Sequence, residues 1–218
     1  MDKAVKARAV RTRTILVGLA LLSALTAVPE TANQGTGSTS SSARRVERFT
    51  RPAEMRVKPP ADAKGSRANQ ACPPNTSEMC RKFWALAGHF LNNPTIPVRD
   101  RELLVLRTAY LGRVDYAWGH HYGTYGPKAG LTPEEISRLM AGPDAKGWSQ
   151  FDAALIRAAD ELASMRFITD ATWKTLASRY NDQQLVEVVL TVGNYTLLGM
   201  YFNALGVPPE PGHSRVPD

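Results

Sequence analysis

The sequence predicts an all-α protein, a single helical domain of about six to seven helices, and three observations carry that prediction. Beyond Ser77, apolar residues recur at spacings of three and four, which lines one face of a helix. No segment alternates apolar and polar residues as a half-buried strand does. Helix-start and helix-stop residues punctuate the periodic stretches at regular intervals.

In chain order, Glu78–Asn92 comes first, with Phe83, Leu86, Ala87, Phe90 and Leu91 forming an apolar stripe. Asn93-Pro94 and Pro97 end it and lead into a helix over about Arg99–Leu111. After Gly112-Arg113, the segment Tyr116–Tyr125 reads as a further helix, broken by Gly126-Pro127. Thr132-Pro133-Glu134-Glu135 is a capping box with proline at the first helical position, opening a short helix to Met140 that Gly142-Pro143 stops. Ser149 caps a helix over Phe151–Ser164, and Asp170 is expected to cap Ala171–Tyr180. Asn181 with Gln184 opens the long last helix, about Gln183–Leu205, which is apolar on most sides and so expected to be central or at a subunit interface.

The charge divides unevenly. Residues 1–68 carry 13 Lys/Arg against 5 Asp/Glu, whereas residues 69–218 carry 14 against 15. The basic character thus belongs to the N-terminal third, and a near-neutral helical part offers no basic face for nucleic acid. Residues 1–33 have the layout of a secretory leader: a basic start (Lys3, Lys6, Arg8, Arg11, Arg13), the mostly apolar run Ile15–Val28, then small residues and Pro29. The run is too short for a confident membrane span, so no stable span is expected in the mature chain. Export to a periplasmic or extracellular site is the expectation. A signal anchor, an organelle transit peptide, or a misplaced start codon that leaves the chain cytoplasmic are the alternatives.

Residues 34–68 are Ser, Thr, Gly, Pro and Arg with almost no large apolar side chains, which predicts a disordered linker. Linker and the loop bracketed by Cys72 and Cys80 together make up residues 34–76, ahead of a helical domain at 77–208 and a tail at 209–218. In an exported chain a disulfide between these cysteines is the natural reading; a redox-active pair is the alternative.

Five pieces, RDREL at 99–103, LRTAY at 106–110, YAWGHH at 116–121, AGLTPEEI at 129–136 and VGNYTLLGMYFNALGV at 192–207, resemble the carboxymuconolactone decarboxylase family, which includes the alkylhydroperoxidase D proteins. The resemblance covers roughly residues 78–208 and implies a helical unit assembled as a homo-oligomer, a trimer or hexamer. In the peroxidase branch a Glu lies twelve residues before the first Cys of a C-x-x-C, and a His follows four after the second. Counting from Glu102 puts those cysteines at Val114 and Ala117 and the His at His121. The proton-handling pair is present and both thiols are absent, which resembles the decarboxylase-like branch. This chain departs from relatives in having Asn194 where Gln is common, and in one extra residue at Tyr125-Gly126-Pro127.

The candidate catalytic residues are therefore His121 and Glu102: a carboxylate in an apolar helix facing an imidazole makes an acid–base pair. Among Arg99, Arg101 and Arg107, any of which could grip a substrate carboxylate, Arg107 is the choice because it stands in the matched LRTAY piece. Trp118, at i−3 from His121, would wall a pocket. His120, about 100° round the helix, is a weaker substrate-binding candidate, and Asn203 is a polar residue in an apolar helix that needs partners. His89 reads as structural. No metal site and no cofactor motif is expected. The expected function is cofactor-free acid–base chemistry on a small carboxylated, unsaturated lactone or keto acid. Peroxide reduction and a non-catalytic binding or scaffold role are the alternatives.

Overall fold

The computed structural model describes residues 50–217, which lie within one compact unit, Arg48–Asp218. The leader and the first part of the linker fall outside the described residues. In chain order the helices are α1 (Arg67–Gln70), α2 (Glu78–Asn92), α3 (Val98–Leu111), α4 (Asp115–His120), a π-helical turn (His121–Tyr125), α5 (Gly126–Lys128), α6 (Pro133–Ala141), α7 (Gln150–Met165), α8 (Asp170–Ala177) and α9 (Asp182–Leu205). Among the described residues there is no strand.

Helix α3 is the axis. It packs against α7 and α9, and Leu103, Leu104, Val105 and Leu106 are removed from solvent completely. Four apolar residues in succession cover every side of a helix, so α3 is enclosed rather than amphipathic. Its charged residues are enclosed with it, and each has a partner, as buried charge requires. Asp100 accepts from the Tyr180 hydroxyl at 2.5 Å, Arg101 binds Glu102, and Arg107 binds Asp160.

Most boundaries follow local rules. Helix α2 spans the predicted residues, with the Ser77 hydroxyl accepting from the Cys80 amide at 3.1 Å. The expected capping box forms between Thr132 and Glu135, and Asn181, expected to open the last helix with Gln184, forms a second one with it. Helix α8 departs from expectation: it begins at Asp170 and ends at Ala177, so Thr169, not Asp170, occupies the N-cap position. The Thr169 amide and hydroxyl both donate to the Glu161 carboxylate, which anchors the entry from α7.

The segment around His121 also differs. Gly126-Pro127 does not break the helix; the chain passes through the π-helical turn and continues to Lys128. A π turn closes i to i+5 and so absorbs one more residue than an α turn. A β-carbon on Gly126 would lie 2.9 Å from the His121 carbonyl oxygen, so the turn requires glycine there.

Residues 50–68, within the stretch 34–68 expected to be a disordered linker, are instead tied to the domain. The Arg56 amide donates to the Leu205 carbonyl at 2.9 Å, Arg51 pairs with Asp115 at 2.6 Å, and the Tyr201 hydroxyl donates to the Ala68 carbonyl at 2.9 Å. A polar segment is held by hydrogen bonds to the domain even though its own apolar content is small. Cys72 and Cys80 form a disulfide with α-carbons 5.4 Å apart. The tail crosses α4: the Tyr116 hydroxyl donates to Glu210 at 2.9 Å, and the Val216 amide donates to Asp115 at 3.1 Å. Gly119 permits this, since a β-carbon there would sit 2.8 Å from that of His213.

Helix α9 is long and apolar enough to cross a membrane, yet half of its most apolar window is buried inside the domain. It packs against α3, α7, α2 and α4 and buries Glu187, Thr191 and Asn194, so here it is a core helix.

Candidate active site

Helix α3 delivers Glu102 and the start of the π-helical turn delivers His121 to one buried point. Glu102 Oε2 lies 2.6 Å from His121 Nδ1. The other carboxylate oxygen, Oε1, accepts from Arg101 Nε at 3.0 Å and Nη2 at 2.6 Å, while Arg101 Nη1 donates to the Leu91 carbonyl at 2.6 Å. On the far side of the imidazole, His121 Nε2 is 3.1 Å from the Tyr195 hydroxyl on α9. Arg101, Glu102 and His121 are 3 %, 0 % and 4 % exposed, so the chain Arg101–Glu102–His121–Tyr195 is dry along its length.

The electrostatics follow from burial and pairing. Burial alone pushes the Glu102 carboxyl up. The neighbouring His121 and then Arg101 outweigh it, so the group is held below the usual carboxylate value and stays ionised. Tyr195 is pushed above the ordinary phenol value, first by burial and then by the Glu102 charge, so its hydroxyl keeps its proton through neutral pH. His120 is pushed below the ordinary imidazole value by burial, then by His213 and His121, with Glu210 opposing.

This chain of groups ends at a cavity of about 460 Å³. Its walls include Trp84, Tyr116, His120, His121, Tyr125 and Tyr195, with Ala117 at one of the two positions that bear thiols in the peroxidase branch. Among the described residues, no Lys, Arg, Asp or Glu lines it. The disulfide loop supports one wall: Trp84 Nε1 donates to the Cys72 carbonyl at 2.7 Å. A second cavity, of about 580 Å³, lies on another side of Tyr195 and includes Val114 and Asn203.

Of the predicted site residues, the structure brings His121 and His120 to one cavity, with Glu102 buried behind His121. The other three sit elsewhere. Arg107 points away from Glu102 and is consumed by Asp160, at 2.6 and 3.0 Å, and by the Leu139 and Met140 carbonyls, both at 2.8 Å. Five residues along an α-helix is a rotation of about 140°, so two residues so placed cannot face one pocket. Trp118 is 1 % exposed and stacks on Tyr122 at 5.4 Å; it is core, not cavity wall. Asn203 donates to the Gly112 carbonyl at 2.9 Å and borders the second cavity. Sequence reasoning missed Tyr195, and missed that Arg101 is the guanidinium joined to Glu102. Tyr195 carries the same signal that singled out Asn203, a polar group in an apolar helix that must find a partner. Among the described residues no three His, Cys, Asp or Glu side chains are grouped to hold a metal ion.

Comparison with known proteins agrees with this architecture. Residues 77–161 match the sequence model of the carboxymuconolactone decarboxylase family. A protein of unknown function from Agrobacterium tumefaciens, provisionally assigned as the antioxidant defence protein AhpD, superposes with a TM-score of 0.54 at 16% identity, over 61% of this chain and 90% of that one. The alkylhydroperoxidase AhpD core of an uncharacterized peroxidase-related protein from Ralstonia eutropha gives 0.53 at 16%, over 61% and 71%. An uncharacterized peroxidase-related protein from Silicibacter gives 0.54 at 15%, over 62% and 71%. At these identities the likeness is one of fold. No curated protein matches the chain. Residues 77–161, which hold both Glu102 and His121, are thus similar to the carboxymuconolactone decarboxylase family, and the helical fold is AhpD-like.

Proposed function

We propose that this protein is a cofactor-free acid–base enzyme that removes CO₂ from a small carboxylated, unsaturated lactone or keto acid. The observation that carries the reading is the dry contact of Glu102 with His121 at 2.6 Å, at the edge of a cavity with no charged residue in its wall other than titratable histidine. In the reaction the bond from carbon to the carboxylate breaks, and its electron pair becomes an enolate. Proton delivery to carbon completes the product, and water restores the proton to the site.

An uncharged, aromatic cavity favours this course. It solvates a localised carboxylate poorly and tolerates the dispersed charge of the enolate better. With Arg107 engaged elsewhere, no guanidinium neutralises the leaving carboxylate, which removes a ground-state stabilisation that would oppose the reaction. Proton transfer from a positioned group contributes about 10²–10⁴ in rate. Peroxide reduction by thiols has less support, because the two cysteines are joined to each other and Ala117 borders the cavity.

The test is CO₂ release from a panel of β-keto acids and carboxylated unsaturated lactones by the full chain. Release that Glu102→Gln removes supports the reading, and a panel that yields nothing overturns it.

We also infer that the protein is exported and self-associates. The secretory layout of residues 1–33 and the Cys72–Cys80 disulfide both favour an oxidising compartment. Between Val186 and Ala204, the exposed positions of α9 are Val186, Leu190, Gly193, Leu197, Met200 and Ala204, spaced alternately by four and three. That is the seam spacing of a helix packed on another helix, here a second copy of this chain. Light scattering on the full chain is expected to give a multimer that Leu190→Lys with Leu197→Lys converts to monomer; a monomeric wild type overturns this inference.

A further inference from the structure

Resting on the acid–base reading above, we propose that Tyr195, and not His121, is the group that touches the substrate: its hydroxyl hands the proton from His121 to the enolate carbon.

An imidazole has two nitrogens, and both of those on His121 are engaged within the protein. Nδ1 faces Glu102 Oε2 at 2.6 Å and Nε2 faces the Tyr195 hydroxyl at 3.1 Å. No ring nitrogen is left over for a ligand. The next atom along the chain of hydrogen bonds is the Tyr195 oxygen, and Tyr195 is a wall residue of the cavity. A hydroxyl both donates and accepts, so it can take a proton from one side as it gives one to the other. Tyr125 also borders the cavity, with its ring 4.9 Å from that of His121, but no hydrogen bond joins the two. Tyr195 is therefore the group through which the relay reaches the cavity that His121 and Tyr125 also line.

The step balances without an added reagent. When protonated, His121 holds one proton toward Glu102 and one toward Tyr195. As the enolate electron pair takes the Tyr195 proton to form the C–H bond, the Tyr195 oxygen takes the Nε2 proton of His121. Tyrosine ends as it began, neutral, and His121 ends neutral with its remaining proton on the Glu102 side. Burial and the Glu102 charge hold the phenol above its ordinary value, so the resting group is an acid rather than a phenolate. The Glu102 carboxylate, kept ionised by His121 and Arg101, accepts at the Nδ1 side of the imidazole, so the Nε2 side is the one turned to Tyr195.

The same geometry narrows the ligand class. The exit lies among Trp84, Tyr116, Tyr125 and Phe202, so a flat, conjugated molecule whose oxygen can accept one hydrogen bond fits this wall. A planar oxyanion is the mimic of its enolate.

The test uses p-nitrophenol with the full chain, because its phenolate is such a mimic and its absorbance reports hydrogen bonding to the oxygen. Binding is read by that absorbance and by quenching of tryptophan fluorescence. Wild type is expected to bind saturably, with a spectral shift of the bound phenolate. Tyr195→Phe, which keeps the ring, is expected to weaken binding about tenfold or more and to abolish the shift, the scale of one hydrogen bond to a charged group. Tyr125→Phe is the control on the same wall and is expected to stay within about twofold. Equal binding by wild type and Tyr195→Phe, or no binding by wild type, overturns the proposal. So does a Tyr125→Phe loss as large as that of Tyr195→Phe. Failure of the CO₂ panel alone would overturn decarboxylation while this binding test still decides the role of Tyr195.

Discussion

Helix α3 buries two ion pairs five residues apart, and their difference separates chemistry from architecture. In the Arg107–Asp160 pair the guanidinium forks onto the carboxylate through Nε and Nη2 and donates both Nη1 hydrogens to the carbonyls that end α6. Asp160 is partly open to solvent, and neither partner borders the two cavities described above. The Arg101–Glu102 pair is also satisfied, but its second carboxylate oxygen continues through His121 to Tyr195 and a cavity wall. A buried charge pair is weak evidence of function on its own. What distinguishes the second pair is that it passes the interaction on through groups that can move a proton.

This contrast predicts different failures. The largest effect is expected from His121→Gln, which cuts the proton path: kcat for CO₂ release should fall about 10²–10⁴-fold, measured on the acid that the panel identifies. If activity persists, the two clusters are alike and both are structural. Arg107→Met should do the reverse. It leaves two carbonyls and the partly exposed Asp160 without their donor and is expected to cost about 1–3 kcal/mol in denaturant unfolding, while kcat per folded molecule stays within about threefold.

A smaller effect sharpens the comparison from outside α3. Cys72 and Cys80 are separated by 8 residues, and reducing the bond is expected to cost about 2–3 kcal/mol by the loop-entropy relation. Because Trp84 hangs on the Cys72 carbonyl, reduction should also change tryptophan fluorescence and p-nitrophenol binding, leaving the Arg107 side untouched. If the fluorescence is unaltered, the loop does not support the cavity.

The smallest effect is pH-dependent and has two windows of the same sign. His120 has its folded value below the ordinary 6.5, so the unfolded chain binds that proton more readily, and stability present above 6.5 is lost as pH falls through the folded value. Glu102 is likewise depressed below 4.5, so its contribution is present above 4.5 and is lost at still lower pH. Thermal midpoints measured downward from pH 8 should fall in two stages, and His120→Gln should remove the first. A single acid transition in wild type would show that His120 does not contribute.

Local signals made much of this legible. The α2 stripe and the capping boxes at Thr132 and Asn181 are contacts within a few residues, so sequence neighbours suffice to predict them. Glu102 and His121 were found through the spacing of a family resemblance, since periodicity alone does not say which buried carboxylate faces which imidazole. Arg107 was misplaced because its partner, Asp160, lies 53 residues later and nothing local reveals it. Trp118 was placed on the His121 face by counting α-helical turns, but the chain enters a π turn at His121, and its own ring packs against Tyr122 and Tyr110 instead.

By itself, then, the sequence determined that the chain is helical, where most helices start and stop, that two cysteines flank the domain entry, and that the peroxidase thiols are absent. Each rests on backbone preference, a short-range cap, or the presence of a residue type. Only the tertiary structure decided which carboxylate on α3 meets His121, that residues 50–76 are tied to α4 and α9 and the tail to α4, and that Tyr195 stands beside His121, 74 positions away in sequence. The reason is physical: a helix of enclosed apolar residues carries no preferred outward face, so the orientation of its charges is set by whichever neighbours pack against it.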